Sequence, residues 1–214
     1  MAELPSSREK ILDVAEALFA RRGYAGVGLR EVADQVGLGK SSLFHHFRSK
    51  AQLYGEVLDR VLQRIGERLD PVLARADDPV RGLERTIGAL VDALAEVPTT
   101  ARLLLRALFE DEEFGDETPP ELLGAERTLA RILGDFSKLL ERGVAQGVFR
   151  PVSVPDMLQS LIGASIYHFA SSDVGATITG GPLFSAEAVA RRRRELIDLF
   201  HRGLVLRPDE LAHS

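Results

Sequence analysis

The sequence predicts an all-α protein. Segments in which β-branched or aromatic residues alternate with polar ones are nearly absent, and no Asn-Gly or Asp-Gly pair links two such segments. Apolar residues recur instead every three or four positions along most of the chain, which is the period of an amphipathic helix. Gly, Pro or Ser residues flank these segments, as expected at helix ends. We therefore expect a series of helices joined by short loops.

Four helices are predicted in the first third of the chain. Ser6 is placed to cap the first helix, Glu9 three residues later completes a capping box, and Gly23 ends the helix. A short second helix fits Leu29–Val36, because its apolar residues share one face. The remaining two predicted helices are about 39–47 and one that runs from the capping Ser49 towards Pro71.

The rest of the chain predicts five further helices and two loops. The apolar spacing and the flanking residues place helices at about 79–96, 100–113, 121–146, 156–171 and 186–204. The acidic, proline-containing stretch 110–120 and the Gly-, Ser- and Thr-rich stretch 171–185 are predicted as loops. The predicted domains are 1–50, a helix-turn-helix domain, and 51–214, a second helical domain.

Composition excludes several classes of site. The 214 residues contain no cysteine, which excludes disulfides, thiolate metal sites and a cysteine nucleophile. No apolar run approaches the length needed to span a bilayer, so we expect a cytoplasmic protein with no membrane partner. The formal net charge is −5, but residues 1–50 carry 8 Lys and Arg against 6 Asp and Glu, with the acidic excess in the remainder. A mildly basic first segment is typical of a protein that contacts a polyanion with one end.

The stretch Gly39-Lys40-Ser41 has two possible interpretations. A nucleotide-binding loop requires a glycine five positions before Gly39, but Asp34 stands there, and the loop must also follow a strand. The flanking segments have helical period. The pattern therefore favours helix, short turn, helix, in which the second helix can lie in the major groove of DNA.

Helical geometry divides the predicted third helix into two faces. Leu43 and Phe47 lie four residues apart and should face inward with Leu38. On the outer face, Lys40 can contact a guanine edge, and Phe44 a thymine methyl group or a sugar. Ser42 and His46 flank that face and can reach phosphates. The predicted DNA-binding residues are Arg30, Gly39, Lys40, Ser41, Ser42, Phe44, His45, His46 and Lys50.

Residues 6–55 resemble the N-terminal domain of the TetR (tetracycline repressor) family of bacterial regulators. The matching positions are Gly23-Tyr24, Val32-Ala33, Val36-Gly37, Lys40, Leu43-Phe44, His46-Phe47 and Lys50. The resemblance implies an all-α, two-domain homodimer, with an N-terminal three-helix helix-turn-helix DNA-binding domain. It also implies a C-terminal helical domain that binds a small molecule, and whose last two long helices form the dimer contact.

Three positions depart from the family pattern. Members often carry Ser or Thr where this chain has Gly28 and Gly39, and tyrosine where it has Phe44. These replacements remove hydroxyl groups that can contact phosphate. We therefore expect fewer phosphate contacts and a shallower dependence of DNA affinity on salt.

The C-terminal half contains two sets of candidate residues. Apolar stripes on the last two long helices suit a four-helix dimer contact, or else packing within one subunit. The predicted dimer residues are Leu158, Leu161, Ile162, Ile166, Val189, Leu196, Ile197, Phe200 and Leu204. A second set suits a pocket for an apolar ligand with a polar end, or else an ordinary core. The predicted pocket residues are Phe109, Phe114, Phe136, Met157, Tyr167, His168 and Phe169.

No catalytic or metal-binding pattern is visible. The adjacent His45 and His46 point about 100° apart on a helix, so they cannot share a metal, and the chain contains no nucleophile elbow, zinc signature or dinucleotide turn. We predict no cofactor, no metal and no catalysis. The sequence favours a repressor that binds double-stranded operator DNA as a homodimer and is released by a small effector. The alternative is a helical small-molecule-binding module without productive DNA binding.

Overall fold

The computed structural model describes residues 6–75, 77–109 and 120–206. In these residues the regular structure is helical except for one isolated bridge between Phe149 and Val205, so the prediction of an all-α protein is confirmed. A 3-10 turn at Pro120–Leu122 precedes α7. The helices are α1 Ser7–Arg22, α2 Leu29–Val36, α3 Lys40–His46, α4 Lys50–Leu73, α5 Pro79–Glu96, α6 Thr100–Ala107, α7 Leu123–Ala145, α8 Val154–Ala170, α9 Ser172–Thr179 and α10 Ala186–Leu204.

The chain forms two compact units that do not follow chain order. The first comprises Met1–Gln63 and Thr99–Thr128, and the second comprises Arg64–Pro98 and Leu129–Ser214. The helices α4 and α7 therefore each contribute residues to both units. The predicted domain boundary after residue 50 stays a prediction.

The core of the first unit is built on the predicted apolar stripes. Phe19 of α1 and Tyr54 of α4 are buried, and their rings meet edge-on with centroids 4.9 Å apart. The helices α1, α2 and α3 pack in succession, which buries one face of each. The other buried apolar residues of these helices and the start of α4 are Ile11, Leu12, Ala15, Leu18, Ala20, Val32, Ala33, Leu43, Phe47, Leu53 and Val57.

In the second unit, α5 lies at the centre. It contacts both α8 and α10 and buries Leu83, Ile87, Val91 and Leu94. Across from them, every fourth residue along much of α10 is buried, as the period of a helix requires. The buried residues of α8 and α10 are Leu158, Leu161, Ser165, Phe169, Ala188, Leu196, Phe200 and Leu204.

The predicted helix caps are present. The backbone N–H of Glu9 donates to Ser6 Oγ at 3.2 Å, and the N–H of Ser6 donates to the Glu9 carboxylate at 2.7 Å. This is the capping box predicted for α1. At the start of α4, the N–H of Gln52 donates to Ser49 Oγ at 3.0 Å. Local side-chain chemistry therefore fixes where these two helices begin.

One predicted loop contains a helix. We expected 171–185 to be a loop, but α9 occupies Ser172–Thr179. The hydroxyls of Thr177 and Thr179 donate to backbone carbonyls one turn earlier, at 2.9 Å each, so these polar side chains are satisfied within the helix. Gly175 allows close packing, since a Cβ there would lie 2.1 Å from Ser171 Oγ and 2.9 Å from Leu183 Cδ1. Composition alone was therefore misleading.

α4 was predicted to run towards Pro71 and ends two residues beyond it, at Leu73, because a proline near the end of a helix removes few backbone hydrogen bonds. One predicted helix end is wrong. α6 ends at Ala107, and the chain turns at Leu108 and Phe109. Residues 110–113 of that predicted helix, and the predicted loop 110–120 apart from Pro120, lie outside the described residues.

Candidate nucleic-acid interface

The turn between α2 and α3 has a fixed geometry. Gly37 adopts a left-handed conformation with φ 76°, which a residue with a side chain rarely adopts. Beyond it, the N–H of Leu38 donates to the carbonyl of Ala33 at 2.9 Å and closes the end of α2. Gly37 thus allows the chain to reverse within three residues and start α3.

The structure confirms the two faces predicted for α3. Leu43 and Phe47 are fully buried, whereas Phe44 between them is 39% exposed. Of the predicted DNA-binding residues, Ser41, Ser42, Phe44 and His45 lie on the side of α3 away from the core and are exposed, and His46 is half-buried. Gly39 before α3 and Arg30 on α2 are also exposed, and Lys50 is the first residue of α4. The side chain of Lys40, the first residue of α3, lies outside the described part of the chain.

Glycines occupy the N-cap positions of both helices of the motif. Neither Gly28 before α2 nor Gly39 before α3 supplies a side-chain cap. A Cβ at Gly28 would meet no atom within 4 Å, and one at Gly39 would meet only Ser41 Oγ at 3.9 Å. There is therefore room for a hydroxyl-bearing residue at both positions. The N–H groups of the third helical residues, Glu31 and Ser42, donate to the glycine carbonyls, whereas those of the first two residues of each helix lack an intrahelical acceptor and can face an anion.

Lys50 has a partner within the protein. Its ammonium group donates to the carbonyl of Tyr24 at 2.9 Å and lies 4.0 Å from the centre of the Tyr24 ring. That ring lies 5.1 Å from the ring of Tyr54. Lys50 was predicted as a DNA-binding residue, and its contact with Tyr24, 26 residues away in sequence, was missed because no local pattern indicates it. The predicted DNA contact of Lys50 stays a proposal.

A buried carboxylate links three segments of the first unit. Glu16 of α1 is only 3% exposed. It accepts hydrogen bonds from Arg60 of α4 at 2.8 Å and from the hydroxyl of Thr99, just before α6, at 3.1 Å. Arg106 of α6 also donates to the carbonyls of residues 20 and 21, at 3.1 and 3.0 Å, and so caps the end of α1. Both ends of α6 are therefore attached to α1.

The predicted pocket residues do not share one environment. Phe109 belongs to the first unit and is 76% exposed, while Phe136 and Phe169 are core residues of the second unit. Tyr167 is 57% exposed, and Met157 and His168 are half-buried. Phe114 lies outside the described residues. The predicted pocket stays a proposal. Among its described members, His168 has a buried ring nitrogen, Nε2, without a hydrogen-bond partner in the described part of the chain.

A groove of about 710 Å³ lies in the second unit between the end of α4 and α7. None of the predicted pocket residues lines it. Its walls carry ion pairs, Asp70 with Arg131 at 2.7 Å and Asp135 with Lys138 at 2.8 Å. These charged walls differ from the apolar lining that was predicted for the ligand site.

Burial divides the predicted dimer residues into two groups. Leu158, Leu161, Leu196, Phe200 and Leu204 are buried within the protomer, so they have little surface to offer a partner. The helical period identified their face correctly, but the core of the second unit occupies it. Ile162, Ile166, Val189 and Ile197 are half-buried and keep some accessible surface. Leu199, which was not predicted, is 61% exposed.

The described residues contain neither a membrane-spanning helix nor a cluster of metal-binding side chains. None of their helices combines the length and the low polarity required to cross a membrane. No three His, Asp or Glu side chains among residues 6–75, 77–109 and 120–206 are grouped closely enough to hold a metal ion.

Both halves of the chain match known family models. Residues 11–57 match the model described as bacterial regulatory proteins, tetR family. Residues 79–200 match the model of the tetracyclin repressor-like C-terminal domain. The matches cover the helix-turn-helix segment and most of the second half.

Individual proteins are similar over most of their length. The HTH-type transcriptional repressor KstR2 of Mycolicibacterium smegmatis is 29% identical over 191 residues, 87% of this chain and 86% of that protein. The structure of the ketosteroid transcriptional regulator KstR2 of Mycobacterium tuberculosis has a TM-score of 0.75 at 21% identity, covering 96% of this chain and 98% of the other. AibR, solved with isovaleryl coenzyme A and operator DNA, has a TM-score of 0.71 at 15% identity, covering 91% and 97%. The two structural similarities show a shared fold.

Proposed function

The chain belongs to the TetR family of bacterial regulatory proteins, a family of ligand-responsive DNA-binding regulators, and we propose that it is a cytoplasmic transcriptional repressor. It binds a pseudo-palindromic operator as a homodimer, with one α3 in each of two successive major grooves. Such half-sites lie about 34 Å apart. The repressor function named for its KstR2 relative supports this direction of control.

The observation that carries the proposal is the division of α3. Its buried residues, Leu43 and Phe47, fix the helix to the unit, while Ser41, Phe44 and His45 are exposed on the other side. Serine and histidine can donate hydrogen bonds to base edges or accept them, and an exposed phenylalanine can contact a thymine methyl group. An exposed aromatic side chain on a polar helix face costs free energy in water, and burial against DNA removes that cost.

The other proposed contacts go to the DNA backbone. Arg30, Ser42 and His46 flank the base-contacting face, and the N–H groups after Gly39 open the first turn of α3. Lys50 can use the two ammonium hydrogens that Tyr24 leaves available, because a lysine has three donors. The backbone contacts orient the protein and supply the salt-dependent part of the affinity. Lys40, in contrast, is assigned to a base contact, with a guanine edge.

A small apolar or amphipathic effector controls the equilibrium between an arrangement that binds the operator and one that does not. It binds the C-terminal part of the chain and prefers an arrangement in which α4 holds α3 away from the operator spacing. To lower the operator-competent fraction from about 99% to about 1%, the effector must favour the other arrangement by about 5.5 kcal/mol. AibR, which shares the fold, was solved with isovaleryl coenzyme A, an amphipathic molecule, and with operator DNA.

Fluorescence-anisotropy titration of Lys40→Ala and of Lys40→Ala combined with Lys50→Ala tests the proposal. We expect a loss of operator affinity of about 1–3 kcal/mol for the single variant and a larger loss for the double variant, with effector binding intact. Lys10→Ala, an exposed lysine on α1, is the matched control. If the wild-type protein and the double variant bind DNA equally weakly but both bind a small molecule, the chain is a binding module without productive DNA binding.

A further inference from the structure

An arginine occupies the core-facing stripe of α10. Buried residues Ala188 and Leu196 lie four positions before and after Arg192, so Arg192 points into the same arc of the helix. It is half-buried. Apolar residues ordinarily fill such a position, because removing a charge from water is costly unless a partner compensates for it.

Arg192 lacks a counter-ion within the part of the chain that is described. One terminal nitrogen donates to the carbonyl of Ala164 on α8 at 2.7 Å. Its Nε is buried and has no hydrogen-bond partner. Burial lowers the pKa of Arg192, although the charge of Glu195 on the next turn raises it. Glu195 nevertheless forms no ion pair with it.

The neighbouring arginines differ from Arg192. Acids at 187, 195 and 198 lie three or four positions from individual arginines of the run 191–194, a spacing that favours ion pairs on the same helix. Arg193 instead forms an ion pair with Asp92 of α5, and Asp198 pairs with Arg202 at 2.7 Å. Arg191 and Arg194 are exposed to solvent, which compensates their charges. Arg192 is therefore the member of the run that has neither an acidic partner nor full solvent access.

His168 lies beside this arginine on α8, one turn after Ala164. Its Nε2 is buried without a hydrogen-bond partner among the described residues. Burial and the positive charges of Arg192 and Arg191 lower the pKa of His168 to about 4. A neutral imidazole can still donate one N–H. Two buried nitrogens without a hydrogen-bond partner, one of them on a cationic side chain, thus occur on neighbouring helices.

We propose that Arg192 and His168 form a binding site for a compact oxyanion, the carboxylate or phosphate group of a small molecule. A guanidinium is a planar fork of N–H donors that fits two oxygens of either group, and such charge-assisted hydrogen bonds are stronger than neutral ones. The anion supplies the missing counter-charge for Arg192 and a partner for the imidazole. Arg191 adds attraction from the exposed side.

Aromatic rings lie beside His168. The His168 ring meets the buried Phe169 edge-on at 4.9 Å, and Phe169 lies 5.4 Å from Phe184. Tyr167, on the same helix, is largely exposed. The assignment of this anion as the polar end of the effector rests on the proposed function, whereas the anion site itself does not. The two are distinguished because anion binding and operator release are measured separately.

The test is a titration of the full-length protein, followed by the NMR signals of the His168 ring. Three probes are compared: octanoate, inorganic phosphate and octan-1-ol. We expect the His168 signals to move with octanoate or with phosphate, and the responding probe identifies the anion as a carboxylate or a phosphate. An equal response to octan-1-ol would overturn the proposal, because an alcohol carries no charge.

Matched variants locate the site. Arg192→Gln should weaken anion binding at least tenfold, whereas Arg194→Gln, which removes the same charge from an exposed position of the same helix, should change it less than twofold. Equal losses in the two variants would overturn the proposal. Arg192→Lys keeps the charge but lacks the forked N–H donors, and it replaces Arg192→Gln if that variant does not fold. Anion binding by Arg192→Lys at the wild-type level would contradict the guanidinium contact. Octanoate that binds at His168 without releasing operator DNA would refute the effector assignment and leave the anion site standing.

Discussion

The ammonium of Lys50 lies 4.0 Å from the centre of the Tyr24 ring and donates to the carbonyl of the same residue. This contact joins the turn after α1 to the first residue of α4. Since Tyr24 also packs against Tyr54, a cation and two aromatic rings hold the two ends of the helix-turn-helix segment together. One side chain thus serves the fold while it stands close to the proposed DNA surface.

Lys50→Met separates those two roles. Loss of the hydrogen bond and the cation–π contact should lower the free energy of unfolding by about 1–2 kcal/mol. Loss of one phosphate contact should reduce the slope of log affinity against log salt by about 0.9. Denaturant unfolding and anisotropy at several salt concentrations measure the two effects, with Lys10→Met as control. An unchanged slope would remove Lys50 from the DNA-binding residues.

Neighbouring residues of α3 should respond to truncation in opposite ways. Leu43 is fully buried, so Leu43→Ala should cost about 2–5 kcal/mol of stability through lost burial and a cavity. Phe44 is 39% exposed, and Phe44→Ala should cost less than about 1 kcal/mol of stability yet weaken operator binding. Thermal unfolding and anisotropy on both variants check this. Equal destabilisation by the two changes would contradict the assigned faces of the helix.

The buried carboxylate of Glu16 should be important for the stability of the first unit. Glu16→Gln removes its charge and leaves the partly buried Arg60 with Asp13 alone, so we expect a loss of about 3 kcal/mol. Asp13→Asn changes the exposed acid on the same arginine and should cost less than about 1 kcal/mol. Denaturant unfolding measures both. A difference of less than a few tenths of a kcal/mol would show that the burial of Glu16 has little effect on stability.

His168 should make stability depend on pH. Its pKa is about 4 in the folded protein and 6.5 ordinarily, so between these values the unfolded chain binds more protons. Stability is therefore complete above about pH 6.5 and falls as the pH drops towards 4. His168→Gln should lose less stability between pH 7 and pH 4.5 than the wild type, measured by thermal unfolding without added anions. Parallel pH profiles of the two proteins would show that His168 titrates normally.

Local patterns predicted those parts of the fold that local chemistry determines. The capping box at Ser6, the apolar stripe of α3 and the bounds of α2, α5 and α10 depend on residues a few positions apart. Contacts such as Lys50 with Tyr24 join residues far apart in sequence, so no periodicity reveals them. The helix α9 was missed for another reason, because Gly175 serves close packing there rather than a turn.

The candidate site was likewise predicted only where it depends on residues close together in sequence. Helical period placed Ser41, Phe44 and His45 on one exposed face, since the period of a short helix is fixed by backbone geometry. It did not distinguish a face that packs within the protomer from one that is left for a partner, as Leu161 and Leu196 illustrate. The charge of the run 191–194 is typical of a solvated face, and only the structure shows that Arg192 lies between the buried residues Ala188 and Leu196.

The most direct test of the proposed function is an anisotropy titration of the purified protein against the DNA that flanks its own gene. It is carried out at two salt concentrations with nonspecific DNA as competitor. We predict tight binding that resists the competitor and weakens as salt increases. Binding no tighter than to the competitor, followed by failure to select any preferred sequence from random duplexes, would contradict the assignment of α3 as a DNA recognition helix.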